Sequence, residues 1–262
     1  MADGRFVQDV IKAPLLSALL LLLPELIVIQ TGLFNNVVTE LGYDSYAEKP
    51  IYDVMPANLL VNLGYLAVGI YWLRYYGALA PKALSLRTVL SGSVFAWLSV
   101  VYTFIQSYRI LYQSQASAVL DQWITLTIFC HVMTWAAGVE DVECYNLLCY
   151  TASFLSYFLT LLLDIGFELA LGLHVVIVIL LAVRRQGKYG DSDSRAVFIK
   201  ALLCCVGFVV LKVLDLPLAE YWRPNVLSGH FLSKLCDVGQ MYYVVKLVNS
   251  WDLNKIKAEK VE

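Results

Sequence analysis

Residues 227–248 read LSGHFLSKLCDVGQMYYVVKLV. That is about the length an apolar helix needs to cross a bilayer, yet the stretch carries His230, Lys234 and Asp237. At i, i+4 and i+7 the three share one helix face. Ionisable groups are costly in lipid and turn toward a protein interior or a wet cavity. A chain with such a segment must fold as a bundle whose other helices supply polar partners.

Seven further apolar runs can supply them, near 13–31, 57–75, 89–109, 121–138, 145–163, 167–183 and 197–216. Composition agrees: 60% of the 262 residues are hydrophobic and 15% charged, against about a quarter charged in soluble domains. The expectation is an all-α polytopic membrane bundle of about eight transmembrane helices in a single domain, 1–262. The formal charge of −2 gives no footprint for a nucleic-acid partner. The cysteines lie in or beside apolar runs and read as packing residues. The first run follows Arg5 and Lys12, as a cleaved signal peptide would. It is long for one, and Pro24 and Glu25 interrupt it, so a retained helix with a buried Glu25 is expected.

Basic residues orient the spans. With a cytosolic N-terminus, twelve of the 19 Lys and Arg fall on the cytosolic side, among them Lys82, Arg87, Arg184, Arg185 and Lys188. The opposite side holds Lys49, Arg109 and Arg223. Both termini read as cytosolic, and the 34–55 connector, with Glu40, Asp44, Glu48 and Asp53, as lumenal. An endomembrane location, the Golgi included, is the expectation.

That orientation puts Asn58, Asn62, Tyr102, Gln106, Asp121, Glu168, His174, Lys212, Asp215, His230, Lys234 and Asp237 in the lumenal half, on six spans. A hydrated pocket opening to that side accounts for the grouping. Plainer readings stand beside it. Asp121 serves equally as the N-cap of its helix, Lys212 snorkels outward, and Asn58 and Asn62 join helices by hydrogen bonds. Asp215 and Glu168 sit at the interface. His131, deep in its span, reads as a hydrogen-bonded core histidine.

AVLDQWITLTIF (118–129), GFELALGLHVV (166–176), GFVVLKVLD (207–215), LSGHFLSKLCDV (227–238) and YAEKP (46–50) resemble the transmembrane protein 187 family of vertebrate multi-pass proteins over nearly the whole chain. That resemblance implies no activity. A more distant one is to the alkaline ceramidase, adiponectin-receptor and Per1 superfamily of zinc-dependent membrane hydrolases. Asn58 and Asn62 resemble the polar start of its first helix, Asp121 its aspartate, and His230 the first histidine of its last helix. It implies a seven-helix bundle preceded here by one extra helix. The pattern then departs. Lys234 stands where the second histidine belongs, and Tyr102-x-x-x-Gln106 where Ser-x-x-x-His belongs. Zinc wants about three ligands and an open position, and a charged lysine repels it. His230 and His174 would serve only in a rearranged zinc site, so no cofactor is expected.

Three functions follow in order. The first is a non-catalytic relative of these hydrolases, holding a bilayer lipid or a protein partner in the pocket, with Lys234 paired to Asp121 or Asp237. The second is an active lipid amide or ester hydrolase using Asp121 and His230. The third is a transporter, disfavoured because the cytosolic half is nearly bare of polar residues.

Overall fold

A helix satisfies its own backbone hydrogen bonds, which lipid cannot do, so apolar runs of this length fold as helices. In the computed structural model the described residues are 4–41, 46–52, 54–78, 84–140, 146–221 and 228–260. Asp44, Asp53, Lys82, Arg223 and Leu227 lie outside them, as does the side chain of Arg5.

The helices are α1 (Gly4–Gln30), α2 (Pro56–Ala78), α3 (Leu86–Tyr112), α4 (Gln115–Gly138), α5 (Asn146–Ser156, continued by a 3₁₀ turn Tyr157–Leu161), α6 (Gly166–Tyr189), α7 (Ser192–Val213), α8 (Asp215–Tyr221) and α9 (Gly229–Glu259). Among the described residues six are long and apolar enough to cross a membrane: α1 from Lys12 onward, α2, α3, α4, α6 and α7. The α5 unit is shorter. The 31-residue α9 is long enough but carries the polar face of His230, Lys234 and Asp237.

Two boundaries differ from expectation. Helix α4 starts at Gln115, where Ser114 accepts from Ser117 N and Ser117 returns the bond. Asp121 is therefore not an N-cap; it sits inside the helix, two turns on. The seventh span ends at Val213 and Leu214 breaks it, so Asp215 opens the short α8. Helix α1 runs unbroken through Pro14 and Pro24.

Helices α3 and α9 run in opposite directions. Ser85, at the start of α3, donates its backbone N–H and hydroxyl to Asp252 near the end of α9, at 2.7 and 2.8 Å. At the same end Arg185 donates to Ala136 O at 2.9 Å, taking up a carbonyl that the last turn of α4 leaves open; it also pairs with Glu140. Backbones come close where glycine allows. A Cβ at Gly69 of α2 would stand 2.7 Å from Ala96 O of α3.

The bundle buries polar groups and turns leucines outward, as a lipid solvent favours. Asn58, Asn62, Ser93, Ser99 and Ser233 are fully buried, while Leu16, Leu20, Leu173 and Leu180 are more than half exposed. One aromatic core joins Tyr65, Trp72, Tyr76, Phe95 and Trp251. A second stacks Trp123 on Tyr157 at 4.7 Å, with Phe34 edge-on at 5.1 Å. Glu25 is 1% exposed and takes a hydrogen bond from Thr127 of α4, so the buried acid of α1 has its partner within the bundle.

Candidate functional site

At the end where α2, α4, α6 and α9 begin, residues 34–41 and 46–48 lie against the bundle. Phe34 O and Val37 O accept from Gln115 Nε2 at 3.2 and 2.7 Å. Glu48 spreads both carboxylate oxygens over the open end of α2. It takes Ala57 N at 2.7 Å, Asn58 N at 3.0 Å and Asn58 Nδ2 at 2.6 Å. Pro56 at the first helical position leaves those amides as the free donors. Burial raises the pKa of Glu48 while these hydrogen bonds pull it down. Asp215 binds the connector to the last helix, accepting from Ala47 N at 2.9 Å and from His230 N at 2.7 Å. Ser228 accepts from Phe231 N beside it, so the start of α9 is capped twice.

Below this cover lies a polar chamber. Its centre is the Gln106 amide. Lys234 Nζ donates to Gln106 Oε1 at 2.8 Å. Gln106 Nε2 donates to Tyr102 Oη at 2.7 Å and to Asp121. An ammonium only donates and a carboxylate only accepts, so this amide orientation is the one that satisfies both. Asp121 is ion-paired with Arg109. The same guanidinium donates upward to Tyr46 Oη at 2.8 Å and Glu40 O at 3.1 Å. Burial pushes the Tyr46 hydroxyl up to about 12, with Arg109 pulling the other way, so it is a neutral partner at ordinary pH. Asp237, one turn beyond Lys234, accepts from Tyr65 Oη at 2.8 Å. Lys212 Nζ lies 3.6 Å from Glu40 Oε2.

Asp121, Tyr102, Gln106, Lys234, Asp237 and His230 thus line one chamber, of about 40 Å³. Asn58 lines its upper extension. Asn62 lies alongside, its Nδ2 donating to Ser107 Oγ at 3.3 Å. His174 does not join it. Its ring is held between Ser153 Oγ at 2.8 Å and Ala170 O at 2.7 Å, on the α5 side. His131 bonds Tyr150 Oη and Ser91 O, as a core histidine. The expected contact of Lys234 with a carboxylate is replaced. Arg109 holds Asp121, Tyr65 holds Asp237, and the lysine reaches the acids through an amide. The donors do not suit zinc. His174 is turned away, Lys234 intrudes, and no three His, Cys, Asp or Glu side chains converge as a metal set among the described residues.

An apolar cleft of about 650 Å³ opens between α6 and α7, walled by Phe167, Leu171, Val175, Phe208, Val209 and Val213. Glu40, Phe167, Leu171, Phe208, Lys212 and His230 line both cleft and chamber, so the two adjoin. Reading the sequence by depth missed Glu40, Tyr46 and Glu48, which lie in the connector, and the pairing of Arg109. Arg109 follows Gln106 at i+3, and that spacing was the available signal.

The sequence model of the TMEM187 protein family matches residues 14–249. The chain belongs to that family. It is 40% identical over 231 residues to transmembrane protein 187 of Bos taurus, covering 85% of this chain and 90% of the relative. It is 38% identical over 229 residues to transmembrane protein 187 of Homo sapiens, covering 81% and 82%. No solved structure matches the chain. The family match includes every residue of the chamber and cleft, and with the apolar helices it makes this an integral membrane protein.

Proposed function

We propose that this protein is a non-catalytic relative of the ceramidase-like membrane hydrolases that takes a lipid from the bilayer through the cleft between α6 and α7. One observation carries the reading: an apolar cleft of about 650 Å³ that adjoins a polar chamber and shares six lining residues with it. Its size falls within the roughly 300–1,000 Å³ of small-molecule sites. A lipid needs both parts, an apolar wall for its chain and polar groups for its head. The connector covers the end of the bundle over the chamber, which favours entry from the side. Catalysis is not part of the proposal. Asp121 is tied to Arg109 and Gln106, and a hydrolase of the resembling type would need three converging metal donors, which the described residues do not form. The bilayer location is read as endomembrane, with both termini cytosolic.

Gly172 lines the cleft, and a Cβ added there meets nothing within 4 Å. Gly172→Trp therefore starts its side chain in open space and is chosen to occupy the cleft. Wild-type protein in phosphatidylcholine nanodiscs is expected to bind a tritiated single-chain lipid saturably, and the Trp variant to lose most of that binding. Equal binding by both proteins would remove the cleft from the proposal.

A further inference from the structure

We infer that the ligand of this site carries a small anionic head group, a carboxylate or a phosphomonoester on one acyl chain, bound by Lys234 and His230. The inference rests on the lipid reading above and goes further by fixing the head-group charge.

The charges around the chamber are nearly all assigned. Arg109 is paired with Asp121. Lys212 faces Glu40. Asp237 takes its hydrogen bond from Tyr65, and Asp215 from two backbone amides. Lys234 and Asp237 each bond a neutral side chain, and only the lysine has donors to spare. It is 6% exposed, and among the described residues its ammonium bonds only the neutral Gln106 amide. An ammonium has three N–H donors, so two remain for the chamber its side chain lines. A buried cation without a bonded anion is costly, and an arriving anion relieves that cost.

His230 stands at the junction of chamber and cleft. Its ring packs on Tyr46 at 4.8 Å, and its nitrogens bond no described residue. It is placed to donate a second hydrogen bond to the same head group. Size limits that group. At roughly 10–15 Å³ for each water-sized position, the 40 Å³ chamber holds about three. Of the common head groups a carboxylate matches that room best and a phosphate is the next smallest; a choline or a sugar is larger than either. The chain then lies against Phe208 and the α6 wall.

The test uses the full chain in phosphatidylcholine nanodiscs, with tritiated oleate, oleoyl lysophosphatidate and oleyl alcohol measured side by side. Hydrogen bonds to a charged partner predict that one of the acids binds about tenfold or more tightly than the alcohol. The stronger of the two distinguishes a carboxylate head from a phosphate. Lys234→Met is expected to abolish the preference while keeping the binding of oleyl alcohol, which also shows that the variant is folded. Should that variant fail to fold, the comparison of acids with alcohol on wild-type protein decides alone. Oleyl alcohol binding as tightly as both acids would overturn the anionic head group and leave the lipid reading standing. Absence of saturable binding by all three lipids would overturn both.

Discussion

Lys234 and Asp121 are joined through a single amide. The lysine donates to Gln106 Oε1 at 2.8 Å, and Gln106 Nε2 donates to the aspartate. A cation on α9 and an anion on α4 are thus linked by a neutral group on α3.

Removing that link should be costly. Gln106→Leu is close in volume but takes the acceptor from Lys234 and one donor from Asp121 and Tyr102. Leaving a buried charged group short of a partner costs about 1–3 kcal/mol. The expected result is a clearly lowered unfolding midpoint in detergent, with no loss of helix content in the folded protein. An unchanged midpoint would mean that water replaces the amide and that the chamber is wetter than its walls suggest.

Much of the bundle was legible because length and hydropathy fix where helices cross. Depth along a span also placed Asp121, Gln106, His230 and Lys234 in one chamber. It failed where direction decides. His174 shares their depth, but its face of α6 turns to Ser153. Asp121 looked like a helix start because the Ser114–Ser117 capping pair lacks the Glu or Gln that marks the usual box. The twelve-residue step from Arg109 to Asp121 crosses a helical hairpin, and apolar periodicity carries no information about which charges meet across it. Connector residues such as Tyr46 and Glu48 have no periodicity to read.

The turn between α6 and α7 should loosen in acid. Ser194 N donates to Asp191 Oδ1 at 2.7 Å and Asn254 Nδ2 to Asp191 Oδ2 at 3.0 Å. The backbone hydrogen bond from Ser194 is the largest cause of a lowered pKa at Asp191. A carboxyl with a pKa lower when folded than unfolded contributes stability above its unfolded value, lost as pH falls through the folded one. Hydrogen exchange at 192–195, corrected for intrinsic rates, should rise on acidification in wild type. Asp191→Asn keeps an N-cap acceptor without a titrating charge and should flatten that dependence. Parallel profiles for the two proteins would exclude Asp191 as the cause.

Topology is testable without a ligand. Eight crossings would put both termini on one side, and by the basic residues of the α2–α3 and α6–α7 connections that side is expected to be the cytosol. In sealed vesicles of known orientation, a cysteine reagent that cannot cross membranes should label Asn36→Cys, in the α1–α2 connector, only from the lumen. An N-terminal epitope tag should be cut only from the cytosol. Tag and connector reacting from the same side would mean that α1 does not cross.

The pair at the chamber roof invites a double-mutant cycle. Arg109 holds Asp121 on one side and Tyr46 with the Glu40 carbonyl on the other, so it ties the connector to the bundle as well as balancing a charge. Arg109→Gln alone leaves a buried carboxylate with Gln106 as its remaining side-chain donor. Breaking one partner of a buried pair costs about 3–5 kcal/mol. Asp121→Asn alone strands the guanidinium, whose bonds to Tyr46 and Glu40 persist, so its cost should be smaller. With both replaced no charge is left unpaired, and the double variant should be more stable than the two single losses predict, by about 1 kcal/mol or more. Unfolding midpoints of the four proteins in one detergent measure this directly. Simple additivity would show that Arg109 and Asp121 are independently solvated, and that the roof is held by the connector's contacts with Asp215 and Gln115 instead.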